Sequence, residues 1–224
     1  MRGRALRALY RRGLRLWAII HYRHRHRHLV LEQVDDLSLI ILPDVFNPVI
    51  FRSSAFLAEH IRAHIAPETR YLDMGTGSGI GAIVAAQASE HVTAVDINPE
   101  AVRCATINAM LNRVEDRMRV LQSDLFAAVI GQRFDVIGFN PPFYCGTAGD
   151  AYDHAWRSEN AVARFARNLP THLETGGFAL VVLSTDGAAP HFLHEFAASG
   201  LSVQPLAQRD LINEIMTVYR LSVA

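Results

Sequence analysis

Lysine does not occur in this 224-residue chain, so all 22 basic side chains are arginines, which we attribute to codon usage in a GC-rich genome. Cysteine occurs only as Cys104 and Cys145, too few for a disulfide framework or a zinc site, so a reducing, cytoplasmic location is expected. No apolar run approaches the roughly 20 residues of a membrane-spanning helix, and the run 16–20 is shorter than the core of a secretory signal. Half of the residues are hydrophobic, enough for one large domain with a small appendage.

Acidic residues are missing from the first 30 positions, which hold nine arginines. The remaining positions hold thirteen arginines against twenty-two acids, a net charge of −9, so a basic arm precedes an acidic body. Neutralisation of nucleic-acid phosphates suits the arm and not the body. Residues 4–20 have the pattern of an amphipathic basic helix. Three interpretations stay open: a helix packed on the body, contact of residues 2–27 with RNA or an acidic protein, or a membrane-surface or targeting segment.

Histidine and arginine alternate over residues 21–28, which would place three histidines on one face of a strand. The flanking guanidinium charges and the lack of interleaved carboxylates favour a polar strand over a metal site. Two apolar runs follow, 28–34 and 37–42, joined by Asp35 and Asp36, and they predict a β-hairpin.

Two prolines, Pro43 and Pro48, then interrupt the pattern. We therefore predict two domains: a basic helix plus hairpin in residues 1–45, and the main domain in residues 46–224. Either Ser53 or Ser54 is expected to cap a helix that runs to about residue 65.

From residue 70 onwards, short apolar strands alternate with helices, which is the pattern of a parallel sheet covered on both faces. The predicted fold class is α/β: a Rossmann-like, doubly wound, seven-stranded, mostly parallel sheet, preceded by the basic helix and the hairpin. The predicted strands are 71–74, 92–97, 118–122, 134–139, 178–183, 202–206 and 216–223; the predicted helices are 80–88, 99–112 (capped by Asn98 or Asp96), 158–169 (ended by Pro170) and 190–198.

A glycine-rich turn links the first of these strands to its helix, where backbone amides can approach a ligand closely. Without lysine it is not a P-loop, and Ile80 stands where a dinucleotide fingerprint has its third glycine. Asp73, two residues before the first glycine, would repel a pyrophosphate but suits a cofactor that carries an ammonium group. The predicted cofactor contacts in the turn are Gly75, Thr76, Gly77 and Gly79.

Two further carboxylates follow the next strands. Asp96 lies about 20 residues beyond the glycines, where an acid can accept hydrogen bonds from both ribose hydroxyls. Asp124 follows the third strand and is placed to accept from an adenine amino group, with Ile97 and Leu125 lining the ring. Because the carboxyl ends of parallel strands meet at one edge, these groups predict a nucleoside site there.

The stretch Asn140-Pro141-Pro142-Phe143-Tyr144 ends the fourth strand, because prolines cannot continue a sheet ladder. It presents a carboxamide at the same edge, held by rigid residues and followed by aromatic rings. Such a site suits a flat, nitrogen-bearing group: the amide oxygen and a proline carbonyl accept from an –NH2, and an aromatic ring stacks on its face.

Four motifs, Asp-Met-Gly-Thr-Gly-Ser-Gly, Val-Asp-Ile-Asn-Pro, Ser-Asp-Leu-Phe and Asn-Pro-Pro-Phe, resemble in this order a class I S-adenosylmethionine-dependent methyltransferase. The last motif resembles that of the HemK/PrmC-like branch, which methylates planar nitrogens. The resemblance spans about residues 44–185 and implies S-adenosylmethionine as cofactor. It implies that Asp73 and the glycine turn hold the methionine end, Asp96 the ribose and Asp124 the adenine. Asn140, with Pro141 and Phe143, would hold the acceptor nitrogen.

The methyl acceptor stays open at this point. The alternatives are a glutamine amide in a protein, a base in RNA or DNA reached with the basic arm as tether, and a small molecule in biosynthesis. A cofactor-binding scaffold without activity is a fourth alternative, which the intact Asn-Pro-Pro-Phe motif argues against.

Overall fold

The computed structural model describes residues 28–142, 160–211 and 214–223 of the chain. The predicted basic helix, the alternating histidine segment up to residue 27, and Phe143 with Tyr144 lie outside these ranges. Within the described ranges no helix is long and apolar enough to cross a membrane. The same ranges contain no group of three or more His, Cys, Asp or Glu side chains placed to bind a metal ion.

Nine strands occur in the described part of the chain. They are β1 (Val30–Val34), β2 (Leu37–Ile41), β3 (Tyr71–Met74), β4 (Val92–Asp96), β5 (Met118–Gln122), β6 (Phe134–Phe139), β7 (Leu173–Ser184), β8 (Leu201–Asp210) and β9 (Ile215–Val223). The last seven form one sheet in the order β5-β4-β3-β6-β7-β9-β8, in which β9 runs opposite to the other six strands. The predicted seven-stranded, mostly parallel α/β fold is confirmed.

The same described residues form six α-helices. They are α1 (Pro48–Phe51), α2 (Ser53–Arg62), α3 (Ile80–Ala86), α4 (Pro99–Leu111), α5 (Ala161–His172) and α6 (Ala189–Ala198). Side chains along a strand alternate between the two faces of the sheet, so Tyr71 and Leu72 lie in different apolar cores. One core is completed by α2, α3 and α4, and the other by α5 and α6, which gives the doubly wound arrangement.

The hairpin β1–β2 is part of the first core, because one face of β2 is buried against α4. Its two strands pair through a turn at Asp35 and Asp36, and the predicted hairpin is confirmed. Asn98 caps α4 by accepting a hydrogen bond from the Glu100 amide at 2.9 Å, and Pro99 follows in the first turn, where its missing N–H costs nothing. The division of the chain near residue 45 stays a prediction.

The predicted serine cap of α2 is wrong. Arg52, with a left-handed φ of 54°, ends α1 and precedes α2, and no side chain caps this helix. Ser53 and Ser54 lie inside the first turn, and their hydroxyl groups accept hydrogen bonds from the side-chain amide of Asn140. The helix also ends at Arg62, three residues before the predicted position.

Two predicted element ends were also wrong. Pro170 does not end α5, which continues to His172, because Leu169 and His172 are buried and anchor the last turn. Pro205 lies within β8, which extends well beyond the predicted end at residue 206. A proline is tolerated there because β8 is at the edge of the sheet and its register shifts at this point.

Candidate active site

A cavity of about 260 Å³ opens at the carboxyl edge of the sheet, where the strand order reverses between β3 and β6. Ligands bind at such a reversal in open α/β sheets. Most residues that the sequence predicted as a site lie on its wall. Those lining it are Gly75, Thr76, Gly77, Asp96, Ile97, Asp124, Leu125, Asn140 and Pro141.

The glycine turn is held in place by bonds to β4. The Thr76 amide donates to the Val95 carbonyl at 3.0 Å, and the Gly77 amide donates to Asp96 Oδ2 at 2.9 Å. Gly77 has φ of 54°, so a residue with a side chain would strain the turn just where it borders the cavity. Gly79 lies behind the cavity wall, where an added Cβ would come within 3.1 Å of Ala105 in α4.

Asp73 does not line the cavity. It is buried behind the glycine turn, where it accepts hydrogen bonds from Thr76 Oγ1 at 2.6 Å, the Ala82 amide at 3.1 Å and Tyr71 Oη at 3.0 Å. Burial raises the pKa of this carboxyl to about 6, although the three hydrogen bonds act in the opposite direction. These contacts describe a residue that shapes the turn. That Asp73 also binds the methionine end of a cofactor stays a prediction.

Asp96 ends β4 on the cavity wall. Its Oδ2 accepts from the Gly77 amide and its Oδ1 from the Asn98 amide, both at 2.9 Å. Burial raises its pKa, and the backbone hydrogen bonds oppose that shift. A carboxylate oxygen can accept more than one bond, so both oxygens retain capacity for a pair of neighbouring hydroxyls. Ile97, half exposed, extends the wall beside it.

Asp124 lies at the far side of the cavity and forms an ion pair with Arg164 of α5, Oδ2 to Nη2, at 2.8 Å. This ion pair involves Asp124 Oδ2 and not Oδ1. Leu125 follows with φ of 50°, which is uncommon for a residue with a side chain and places it on the wall next to the carboxylate. The combination of a flat apolar surface and a hydrogen-bond acceptor suits the edge of an amino-substituted ring.

Asn140 follows β6 and is the polar group at the other end of the cavity. Its Nδ2 donates to Ser54 Oγ at 2.9 Å and to Ser53 Oγ at 3.1 Å. Its Oδ1 is buried and has no hydrogen-bond partner among the described residues. Pro141 and Pro142 continue the wall beyond it. An orphaned amide oxygen beside a cavity is a site for an N–H donor from a ligand.

The residues that the sequence did not reveal are Arg164, Ser53 and Ser54. Each reaches its partner across a long sequence separation, 40 residues for Arg164 and Asp124, and 86–87 for the serines and Asn140. No local sequence pattern indicates these contacts, because an arginine in a helix is usually a surface residue and a serine at a helix start is usually a cap.

The cavity fits S-adenosylmethionine on these observations: acceptor oxygens for a ribose at Asp96, an apolar wall with an acceptor at Asp124 and Leu125, and a glycine turn bonded to Asp96. Comparison with known proteins gives the family. The model of the methyltransferase small domain family matches residues 36–203. The chain belongs to this family. The predicted enzyme class, an S-adenosylmethionine-dependent N-methyltransferase of the HemK/PrmC-like branch, is confirmed.

Two curated methyltransferases and one solved structure illustrate the relationship. A Methanocaldococcus jannaschii protein, provisionally named a protein N5-glutamine methyltransferase, is 29% identical over 83% of this chain and 96% of that protein. The release factor glutamine methyltransferase of Lactococcus lactis is 30% identical over 84% of this chain and 67% of that protein. The crystal structure of a Pyrococcus furiosus methyltransferase has the same fold. Its alignment with this protein covers 100% of both chains, with a TM-score of 0.64 and 18% sequence identity.

Proposed function

We propose that this methyltransferase transfers a methyl group to the side-chain amide nitrogen of a glutamine in a protein. The observation that carries the proposal is the carboxamide of Asn140: the residue lines the cavity with Asp96 and Asp124, and its buried Oδ1 has no hydrogen-bond partner among the described residues. The glutamine-directed names of the two curated relatives support the same acceptor. A carboxamide NH2 is planar and carries two hydrogens, which matches an oxygen acceptor at the cavity wall.

The proposed mechanism asks the protein mainly for alignment. S-adenosylmethionine, when bound, supplies a methyl group already activated by its sulfonium. In this scheme Asp96 holds the ribose, Asp124 the adenine, and the turn shaped by Asp73 the methionine end. Asn140 Oδ1 and the Pro141 carbonyl accept the two hydrogens of the acceptor –NH2 and leave its lone pair free to attack.

An amide nitrogen is a poor nucleophile because its lone pair is delocalised into the carbonyl. Two acceptors on its hydrogens favour a more tetrahedral nitrogen and stabilise the positive charge that develops there. Apolar side chains of Phe46, Phe139 and Pro142 border the same cavity and limit water around the reacting nitrogen. The scheme requires no strong general base, since the proton can leave to water after transfer.

The test uses labelled S-adenosylmethionine and fractionated lysate, followed by peptides with a central glutamine. We expect label in protein, transfer to the glutamine peptide, and none to the matched glutamate peptide, which lacks the –NH2. The exchange Asn140→Ala should lower turnover by about 100-fold or more, as loss of a transition-state acceptor does, and change cofactor affinity by calorimetry only a few fold. The contrasting variant Asp96→Ala should abolish cofactor binding. Normal turnover by Asn140→Ala would refute the proposal.

A base amine in RNA is the second candidate, and the acid-free arm with nine arginines in residues 1–30 favours it. An exocyclic amine presents the same –NH2 geometry to Asn140. Label that enters RNA instead of protein would select this acceptor, and label in small molecules would exclude both. For either acceptor we place the enzyme in the cytosol, which the free, buried thiol of Cys104 supports.

A further inference from the structure

The break between α1 and α2 places two hydroxyl groups against the end of β6. Asn47 caps α1 by accepting from the Val49 amide at 2.9 Å, and Arg52 then turns the chain with φ of 54°. Because α2 begins directly after this turn, Ser53 and Ser54 both face Asn140. Ser53 is fully buried, and Ser54 lines the cavity.

The hydrogen bonds at Asn140 match in number. A carboxamide has two hydrogens on Nδ2, and two serine hydroxyls lie at 2.9 and 3.1 Å from that nitrogen. If the carboxamide were turned around, its oxygen would lie against the two serine hydroxyls and would no longer be free to accept a hydrogen bond from a ligand. The observed orientation leaves the oxygen free instead.

The two serines have no other role visible in the hydrogen bonds of the described residues. Neither caps α2, whose N-cap residue is Arg52 without a side-chain bond. Their hydroxyl groups bond the Asn140 amide. Ser53 is fully buried and Ser54 partly buried in the first helical turn. Two such hydroxyls that bond a group 86–87 residues away are better explained by that group than by the helix.

We propose that Ser53 and Ser54 are positioning residues that fix the Asn140 carboxamide with its oxygen towards the acceptor nitrogen. The inference rests on the proposed function for its catalytic meaning, since the free oxygen then accepts from the –NH2 that is methylated. It also explains selectivity: an oxygen locked in this direction accepts from a neutral –NH2 and repels a carboxylate. In this scheme both serines act through Asn140, and Ser54 also forms part of the cavity wall.

The orientation is tested directly by nitrogen-15 NMR of the full-length protein without any acceptor. The Asn140 side-chain NH2 pair is assigned by its disappearance in Asn140→Asp. We expect hydrogen exchange of this pair to be at least about 10-fold slower than for exposed asparagines, because both hydrogens are bonded. Replacing both serines by alanine should remove that protection. Protection that is absent in the wild type, or unchanged in the double variant, would overturn the inference.

Kinetic measurements then connect the hydrogen bonds between Asn140 and the two serines to turnover. The double variant Ser53→Ala/Ser54→Ala should lower kcat by about 10- to 100-fold and leave the KM for S-adenosylmethionine unchanged. In an Asn140→Ala background the same two changes should have no further effect, because the serines act through that residue. Additive losses in the two backgrounds would contradict a positioning role.

Two further variants separate this role from a general loss of stability. Ser89 is fully buried at the opposite edge of the sheet, where it donates to the Thr69 carbonyl at 2.7 Å, so Ser89→Ala should destabilise the protein without changing kcat. Ser54→Thr keeps a hydroxyl and should retain kcat, and Ser54→Ala alone serves if the double variant does not fold. If no glutamine peptide is methylated, the proposed acceptor is wrong. The NMR result still shows whether Ser53 and Ser54 fix the Asn140 carboxamide.

Discussion

Asp73 shows how a single residue supports the site without bordering it. Its neighbours leave it little room: a Cβ added to Gly81 would lie 2.6 Å from Asp73 Oδ1, and one added to Gly138 would lie 2.1 Å from the Tyr71 hydroxyl. Both glycines are therefore required for the hydrogen bonds that join Tyr71, Asp73 and Thr76. These hydrogen bonds connect the end of β3 to the turn that borders the cavity.

The raised pKa of Asp73, about 6, predicts a pH-dependent stability. In the unfolded chain this carboxyl titrates near its ordinary value of 3.8, so between about pH 4 and 6 the folded state holds a proton that the unfolded state has released. The stabilisation is therefore complete below pH 4 and is lost as the pH rises through 6, by up to roughly 1.4 kcal/mol per pH unit. Urea unfolding at a series of pH values should show this slope, and Asp73→Asn should remove it.

Tyr71→Phe gives an internal check on that assignment. The Tyr71 hydroxyl donates to Asp73 and lowers its pKa, so loss of the hydroxyl should extend the falling part of the stability curve to higher pH. Equal slopes for the wild type and Asp73→Asn between pH 4 and 6.5 would show that another group is responsible.

At the scale of elements, Asn108 of α4 joins the hairpin to the cofactor turn. This fully buried side chain accepts from the Ile40 amide at 2.7 Å and donates to the Ile40 carbonyl at 2.8 Å, as a neighbouring strand would. It also donates to the Ser78 carbonyl at 2.9 Å. Asn108→Ala should therefore cost about 2 kcal/mol or more in unfolding free energy, because the Ile40 amide and the Ser78 carbonyl lose this partner, while the Ile40 carbonyl keeps the bond from Cys104 Sγ at 3.2 Å. The variant should also weaken cofactor affinity in calorimetry.

Asn112, one turn further along α4, is the matched control. Its Nδ2 donates to the Ser38 carbonyl of the hairpin at 2.9 Å and has no bond to the cofactor turn, and its surroundings are more exposed. Asn112→Ala should cost about 1 kcal/mol and leave cofactor affinity unchanged. If the two variants weaken cofactor binding equally, the hairpin and not Ser78 transmits the effect.

The elements that the sequence predicted best are those with one dominant local signal. The bounds of β3, β5 and β6 agree with the prediction, because each is a short, mainly apolar segment followed by glycine or a polar residue. Pro170 misled the prediction, since proline opposes a helix locally, whereas the burial of Leu169 and His172 decides in the folded protein. The strength of tertiary packing cannot be predicted from a short stretch of sequence.

At the scale of the whole molecule, most of the cavity wall could be predicted from chain order alone. Parallel strands bring their carboxyl ends to one edge, so Asp96, Asp124 and Asn140 meet there although they are far apart in sequence. The orientation of each group could not be predicted, because Asp73 turns inward to a bond network and Asn140 is set by serines from another layer. The sequence predicts which residues share an edge, and packing decides which atoms face the ligand.

Net charge is a second property of the whole molecule, and it differs between the arm and the body. Residues 1–30 hold nine arginines and no acid, while the rest has a net charge of −9, so electrostatic attraction to a polyanion has to come from the arm. Removing residues 1–27 should abolish RNA binding and its steep salt dependence in filter binding. Transfer to a glutamine peptide should stay within about twofold, because the cavity residues lie between 44 and 164.

A full-length variant with these nine arginines changed to glutamine separates charge from length. It should reproduce the loss of salt-dependent binding if phosphate contacts are responsible, since each arginine that contacts a phosphate adds about 0.7–0.9 to the slope of log affinity against log salt. If this variant still binds RNA, the arm acts through its apolar side chains instead. If either change stops peptide methylation while cofactor affinity is intact, the arm recognises the acceptor protein, and its arginines then define an acidic surface on that partner.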